Sequence, residues 1–261
     1  MSPARIAIVV PCYDEAARLP VEAFAKFCDA HPDVAFTFVD DASTDGTAAL
    51  LGDLAGRYPG RCHVVGRERN GGKAQAIWTG MQRVLADAPV YAGYWDADLS
   101  TPLEELPRFV ALLDQHPECE LVLGSRVQLL GRTIRRSALR HYLGRLFATA
   151  VSLALDLPVY DSQCGAKLFR AASPLREAFA EPFDVNWTFD VEILARRLRA
   201  RRALRLPEND GWVRELPLDR WIDVPGSKVR PTDFLRGIAE LIRIRRHLVK
   251  RADEGSSHGA R

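Results

Sequence analysis

Short apolar runs, each stopping at a cluster of polar and mostly charged residues, constrain this chain more than any other feature. Ile6–Val10, Val34–Val39, Cys62–Val65, Val90–Trp95 and Leu121–Leu123 have strand length, and continuous apolar runs mark strands buried on both faces. Helical patterns lie between them: Pro20–His31, Thr47–Tyr58 with Asp45 as its cap, a helix from about Lys73 to Ala86, and a helix capped by Ser100 or Thr101. The last has Pro102 at its first position and Glu104 and Glu105 in its first turn, as the helix dipole favours. Alternating strands and helices predict βαβ units and a mostly parallel sheet. Such sheets bind ligands outside the carboxyl ends of their strands. Here those ends read Tyr13-Asp14-Glu15, Asp40-Asp41, Asp96-Ala97-Asp98 and Ser125-Arg126, which the pattern predicts will converge on one crevice.

The second half is less regular. It reads as a helix over Leu139–Leu155, crowded near its start by Arg135, Arg136, Arg140, His141 and Arg145, then a loop and strand over Asp161–Phe169. A helix over Thr188–Ala200, a strand over Trp212–Leu218, a loop at Pro225–Lys228 and a basic amphipathic helix over Asp233–Lys250 follow. Residues 252–261 read as a disordered tail. No repeat or low-complexity linker interrupts 1–251, which predicts a single domain.

Composition excludes several classes. With 36 Lys plus Arg against 34 Asp plus Glu the net charge is +2, so the chain is no bulk nucleic-acid binder. Cysteines at 12, 28, 62, 119 and 164 are odd in number and lack CxxC spacing, which argues against a disulfide framework or a zinc site and for a reducing compartment. The opening residues lack a signal-peptide pattern. The longest uncharged apolar stretch, Leu146–Leu155, is half the ~20 residues that span a bilayer. A cytoplasmic protein, soluble or peripheral on the membrane face, is expected.

Several motifs carry chemistry. Asp96 and Asp98 project the same way from an extended strand end, and their repulsion is relieved by a hard cation with oxygen ligands, Mg²⁺ or Mn²⁺, that also bridges a diphosphate. Alone, Asp-x-Asp fits a solvated acidic turn or helix cap better; its place at a strand end and its partners reverse that weighting. Asp40-Asp41 can cap a turn or accept hydrogen bonds from a nucleoside. Asn70-Gly71-Gly72-Lys73 puts flexible backbone, a cation and a helix N-terminus in one place, which suits phosphate, although it is not a Walker A sequence. Gly124-Ser125-Arg126, with Arg132, Arg135 and Arg136 beyond it, can hold phosphates or form a solvated basic face. GxGxxG is absent after the first strand, which disfavours a nicotinamide dehydrogenase.

Taken in order, Val-Pro-Cys-Tyr-Asp-Glu15, Val-Asp-Asp-Ala-Ser-Thr-Asp-Gly46, Asn-Gly-Gly-Lys73, Asp-Ala-Asp98 and Gly-Ser-Arg126 resemble glycosyltransferase family 2 over residues 5 to about 230. Tyr-Trp-Asp-Ala-Asp-Leu-Ser-Thr-Pro102, Gln-Cys-Gly-Ala-Lys-Leu-Phe169, Trp-Thr-Phe-Asp-Val-Glu192 and Trp-Ile-Asp-Val-Pro-Gly-Ser-Lys228 are most similar to its dolichyl-phosphate β-glucosyltransferases. The resemblance implies a GT-A nucleotide-sugar-binding fold, an α/β fold with a mixed, mostly parallel sheet flanked by helices. It divides the domain into a nucleotide-binding half, 1–126, an acceptor-side half, 127–230, and the basic helix, 231–251. It implies that Pro11, Tyr13, Glu15 and Asp41 hold the nucleoside, that Asp96 sits near the ribose or metal, and that Asp98 ligates Mg²⁺ or Mn²⁺. Lys73, Arg126 and Lys228 would face phosphates, with Arg126, Arg135 and Arg136 at an acceptor phosphate. Ser100 stands where the mannosyl relatives usually carry Gln, which favours UDP-glucose over GDP-mannose.

The expected reaction is inverting transfer of a hexose, glucose by preference, from UDP-glucose to a polyprenyl or dolichyl phosphate. The eukaryotic relatives begin with a membrane anchor that is missing here, so the acceptor is the least constrained element. A sugar-hydroxyl acceptor would need a base, for which Asp190 is the candidate; a helix first-turn carboxylate is its other reading. Mannosyl transfer from GDP-mannose, transfer to a polysaccharide or glycolipid hydroxyl, and a nucleotide-sugar sensor without turnover are the alternatives. Leu139, Leu143, Leu146, Phe147, Ala150 and Val151 form one apolar helix face, and the basic helix interleaves Phe234, Leu235, Ile238, Leu241, Ile242 and Leu248 with arginines. Both patterns fit either core packing or contact with an anionic bilayer.

Overall fold

The computed structural model describes residues 4–135, 138–208, 210–224 and 235–246. Its first strands are β1 (Ile6–Cys12), β2 (Val34–Asp40), β3 (Cys62–Gly66), β4 (Tyr91–Tyr94) and β5 (Leu121–Ser125), with helices α1 (Val21–Ala30), α2 (Thr47–Arg57), α3 (Lys73–Ala86) and α4 (Leu106–Gln115) between them. Then follow β6 (Thr133–Arg135), α5 (Ala138–Leu155), β7 (Lys167–Arg170), α6 (Ser173–Ala178), α7 (Phe189–Ala203), β8 (Val213–Pro217) and β9 (Arg220–Ile222). A helical segment over 235–246 completes the described chain.

One seven-stranded sheet has the order β3-β2-β1-β4-β7-β5-β8, and β6 and β9 form a separate parallel pair. β1 runs parallel to β2, from Ile6 opposite Val34 to Cys12 opposite Asp40, and parallel to β4 on its other side. β7 alone is reversed, pairing antiparallel with both β4 and β5. The expected mixed, mostly parallel sheet is therefore present, but β5 is not the neighbour of β4.

The buried runs explain the layering. Along β1, Ala7 and Val9 join the apolar cluster containing α3, α5 and α7, while Ile6, Ile8, Val10 and Cys12 join the cluster under α1, α2 and α4. Alternate side chains thus feed two cores on opposite faces. β3, at the sheet edge, alternates between buried and accessible residues instead.

Two expectations are corrected. Pro102 does not open the fourth helix: a short 3-10 turn, Leu103–Glu105, comes first, and α4 starts at Leu106 with Pro107 in its first turn. Glu105 is buried and accepts hydrogen bonds from Asp219 N and Arg220 N at 2.9 and 3.1 Å, so it anchors the β8–β9 turn. On α5, Phe147, Ala148, Val151 and Leu155 are buried, but Leu146 is 64% exposed and does not belong to the core face. Phe234, Leu248 and 252–261 lie outside the described residues.

Candidate active site

The strand order reverses between β1 and β4: the next strand in the chain after β1 lies to one side, and that after β4 to the other, a point where open α/β sheets bind ligands at their carboxyl ends. The loops after β1 and β2 are stitched together at that edge. Asp14 Oδ1 accepts Thr44 N at 2.7 Å, Asp14 N donates to Ser43 Oγ at 3.0 Å, and Glu15 N donates to Thr47 Oγ1 at 2.8 Å. Asp45 is not the N-cap of α2, a place taken by Gly46; it stands one residue earlier, accepts Thr47 N at 2.9 Å, and with its other oxygen accepts Ala16 N at 3.1 Å. Tyr13 and Pro11 are half-buried on this rim, and Glu15 is buried with Arg18 at 2.5 Å.

Asp41 is only 2% exposed. Its carboxylate accepts Gly71 N at 3.0 Å and Gly72 N at 2.7 Å and pairs with Arg67. It therefore shapes the glycine loop that leads into α3. Gly72 has φ +84°, and a Cβ there would also come within 2.6 Å of Asn186 Nδ2, so the position needs glycine on both grounds.

That loop delivers Lys73 to the acidic pair. Lys73 Nζ lies 2.5 Å from Asp96 Oδ1. Asp98 accepts Ser100 N at 3.0 Å, and its other oxygen lies 3.8 Å from Arg18. Burial pushes the Asp96 carboxyl up, but Lys73 most of all, then Lys167 and Arg126, more than offset this and hold it below the ordinary value. Burial pulls the Lys73 ammonium down, and Asp96, Asp190 and Asp98 together hold it above the ordinary value. The two charges thus stabilise each other in a partly desolvated site. Gly165 closes over Asp96: a Cβ on it would stand 1.8 Å from Asp96 Oδ2.

Arg126 is tied to Asp161 by Nε at 2.6 Å and Nη2 at 2.7 Å, and its guanidinium lies over the Trp221 ring. Asp190 faces Lys167 at 2.6 Å and accepts the Tyr94 hydroxyl. Lys167 is fully buried and also donates to Cys164 O at 2.6 Å. The structure therefore brings Lys73, Asp96, Asp98, Arg126 and Asp190 into one electrostatic network, with Asp41 beside it holding the loop before Lys73. Arg135 is exposed on β6, while Arg136 and Lys228 lie outside the described residues.

Sequence reasoning missed Arg18, Lys167 and Asn186. Arg18 had a signal, its spacing of three from Glu15 in a turn. Lys167 had one in the Gln-Cys-Gly-Ala-Lys-Leu-Phe169 segment of the family resemblance, although without a role; Asn186 had none, because its neighbour Gly72 is distant in sequence.

Among the described residues no three or more His, Cys, Asp or Glu gather into a protein-only metal site. Asp96 and Asp98 supply two hard oxygen donors, which fits a cation that keeps water and takes further ligands from a substrate phosphate.

Residues 7–173 match the model of the family described as Glycosyl transferase family 2. The chain belongs to glycosyltransferase family 2. Its curated relatives include a dolichyl-phosphate beta-glucosyltransferase of Dictyostelium discoideum, 28% identical over 92% of this chain and 73% of the relative. A polyprenol monophosphomannose synthase of Mycolicibacterium smegmatis is 31% identical over 64% of this chain and 62% of the relative. Among solved structures, glucosyl-3-phosphoglycerate synthase of Mycobacterium tuberculosis, in complex with Mn²⁺, UDP-glucose and phosphoglyceric acid, aligns with TM-score 0.64 at 20% identity, covering 92% of this chain and 79% of that one. The fold is the GT-A fold anticipated from the motifs. No helix among the described residues is long and apolar enough to cross a membrane.

Proposed function

We propose that this family 2 enzyme transfers glucose from UDP-glucose to a polyprenyl phosphate of the dolichyl type, with inversion, to give a β-linked lipid-phosphate sugar. The observation that carries the acceptor is the state of Asp190. Lys167, fully buried, sits 2.6 Å from its carboxylate, and the Tyr94 hydroxyl donates to the same oxygen. A carboxylate engaged in this way is poorly placed to take a proton from a sugar hydroxyl. A phosphate acceptor is already anionic near neutral pH and needs no base. The names of the lipid-phosphate relatives support the same acceptor class.

In this reading Pro11, Tyr13 and Glu15 border the nucleoside, and Asp41 sets the loop that presents Lys73. The acceptor phosphate oxygen attacks the anomeric carbon as its bond to the diphosphate breaks, and in-line placement is most of what the protein must supply. Lys73 leaves Asp96 for the departing diphosphate, whose charge it meets together with Arg126. Asp96 and Asp98 would hold Mg²⁺ or Mn²⁺, which when bound neutralises diphosphate charge. Arg135, Arg136 and Lys228 are proposed at the phosphates from the sequence resemblance alone.

The lipid acceptor calls for contact with a bilayer, on the cytoplasmic face in this proposal. Tyr142, Leu146 and Leu153 on α5 are exposed, as are Leu235 and Ile242 beside Arg236, Arg243, Arg245 and Arg246. Apolar groups among arginines suit an anionic membrane surface. Sedimentation with anionic vesicles tests this, and no binding refutes it.

Calorimetry with Mn²⁺ tests the donor. UDP-glucose should bind, and Asp98→Ala should abolish the metal-dependent part. Binding of GDP-mannose alone would make the enzyme a mannosyltransferase. Radiolabel transfer to polyprenyl phosphate should follow, and an Asp190→Asn variant that loses turnover while keeping donor affinity would favour a hydroxyl acceptor.

A further inference from the structure

The helical segment 235–246 sends one carboxylate, that of Glu240, to the turn just before α7. Glu240 Oε2 accepts Trp187 N at 3.1 Å, Thr188 N at 2.8 Å and Thr188 Oγ1 at 2.8 Å. Its Oε1 reaches Asn186 N at 3.4 Å. These groups immediately precede α7, which receives no side-chain cap from its own Thr188. The carboxylate thus ties down the backbone of the turn that leads into α7, without reaching the first amides of the helix itself, and it comes from a residue more than fifty positions away in sequence.

The contact is built on packing. Leu241 and Ile244 are buried in the core on the same side of the segment. Gly237 lies flat against the Trp187 ring, where a Cβ would fall 2.2 Å from Cζ3, and Trp187 packs edge-on against Phe147 with centroids 5.2 Å apart. The turn held this way touches the candidate site at two points. Asn186 lies against Gly72, the residue before Lys73. Asp190, in the first turn of α7, carries the Lys167 pair and helps hold the charge on Lys73.

We propose that Glu240 is a positioning residue for the donor site. It fixes the turn 186–188, and that turn sets the glycine loop through Asn186 and the floor of the site through Asp190. The inference rests on the nucleotide-sugar reading for its functional consequence, though not for its structural one. It also gives the segment 235–246 a duty that its basic, amphipathic pattern does not reveal.

The test uses the full chain and hydrogen exchange alongside nucleotide binding. Glu240→Ala should speed exchange at Thr188 and also at Gly71–Lys73, and should weaken UDP binding about tenfold, the scale of losing charge-assisted hydrogen bonds. Glu240→Gln keeps an acceptor oxygen and should stay within about threefold of wild type. Asn186→Ala leaves the Glu240 bonds to 187 and 188 alone; it should keep Thr188 protected yet weaken UDP binding. If Glu240→Ala loosens 186–190 while Gly71–Lys73 protection and UDP affinity stay at wild-type values, Glu240 braces the turn before α7 only and the proposal fails. If Glu240→Ala does not fold, Asn186→Ala decides, and wild-type UDP affinity there overturns the relay. Absence of UDP binding to the wild-type protein would sink the donor assignment instead, leaving the exchange data to judge the relay.

Discussion

A single methyl group at Gly165 separates the acidic pair's function from the stability of the fold. In Gly165→Ala the new Cβ would lie 1.8 Å from Asp96 Oδ2, 2.2 Å from Cγ and 2.5 Å from Oδ1. Non-bonded heavy atoms settle at roughly 3.5 Å, so the carboxylate must retreat by more than about 1 Å. Asp96 is 32% exposed at its side chain and can swing toward solvent, and Gly165 does not occupy the left-handed region that would strain alanine. The fold should survive, therefore, while the 2.5 Å contact with Lys73 and the cation position are lost. Misplacing a reacting constellation by 1 Å costs on the order of 100-fold in rate. The assay is nucleotide-sugar turnover with Mn²⁺, paired with Mn²⁺ binding by electron paramagnetic resonance and thermal unfolding. Gly52→Ala, with no atom within 4 Å of the added Cβ in α2, is the control; it should gain roughly 0.5–1 kcal/mol of stability at unchanged turnover. A folded Gly165→Ala protein with turnover and Mn²⁺ affinity within about twofold of wild type would refute the placement of Asp96 at the reacting centre.

Lys73 and a cation draw on the same carboxylate of Asp96. Lys73→Met should therefore raise Mn²⁺ affinity in the nucleotide-free protein and lower UDP affinity, both measurable by titration; a fall in both would contradict the competition. Lys167→Met strands the buried Asp190 charge and should cost about 3–5 kcal/mol in urea unfolding, with Lys167→Met/Asp190→Leu recovering most of it. Asp114 is held below the ordinary carboxyl range by the Tyr91 hydroxyl and then by Arg5. Because its folded value is lowered, its contribution is complete above the unfolded value of about 3.9 and fades as pH falls through the folded one. The stability difference between wild type and Asp114→Asn should thus be constant from about pH 5 to 8 and shrink below about pH 4.

The sequence disclosed what is local. Continuous apolar runs identified β1, β2, β4 and β5, and the residues at their ends assembled where parallel-sheet logic put them. Lys73 and Asp96, predicted separately as phosphate and metal groups, prove to be partners. What stayed hidden depends on long-range geometry. Lys-Leu-Phe reads as a strand, but no periodicity says that β7 will slide antiparallel between β4 and β5. Lys167 stands in a segment predicted as loop and strand, and nothing local says that it is buried against Asp190 of α7. Leu146 matched the helical stripe, yet the orientation of α5 turns it outward. Glu240 sits inside a basic amphipathic pattern whose two readings, core packing and bilayer contact, both leave a lone carboxylate without a role.

The reversed strand has a bearing on how the chain acquires its structure. β5 finds its sheet neighbours only in β7 and β8, and β4 lacks its second neighbour until β7 is made. A ribosome that has released Ser125 has therefore produced a four-stranded parallel unit, β3-β2-β1-β4, with β4 at a bare edge and β5 with nowhere to dock. Such edges invite mispairing and chaperone capture. Closing the sheet waits for contacts far apart in sequence, which slow folding. The N-terminal half carries most of the recognisable motifs, but it becomes a complete sheet only when the C-terminal half inserts its strand, so nascent chains should stay protease-sensitive until β7 has emerged.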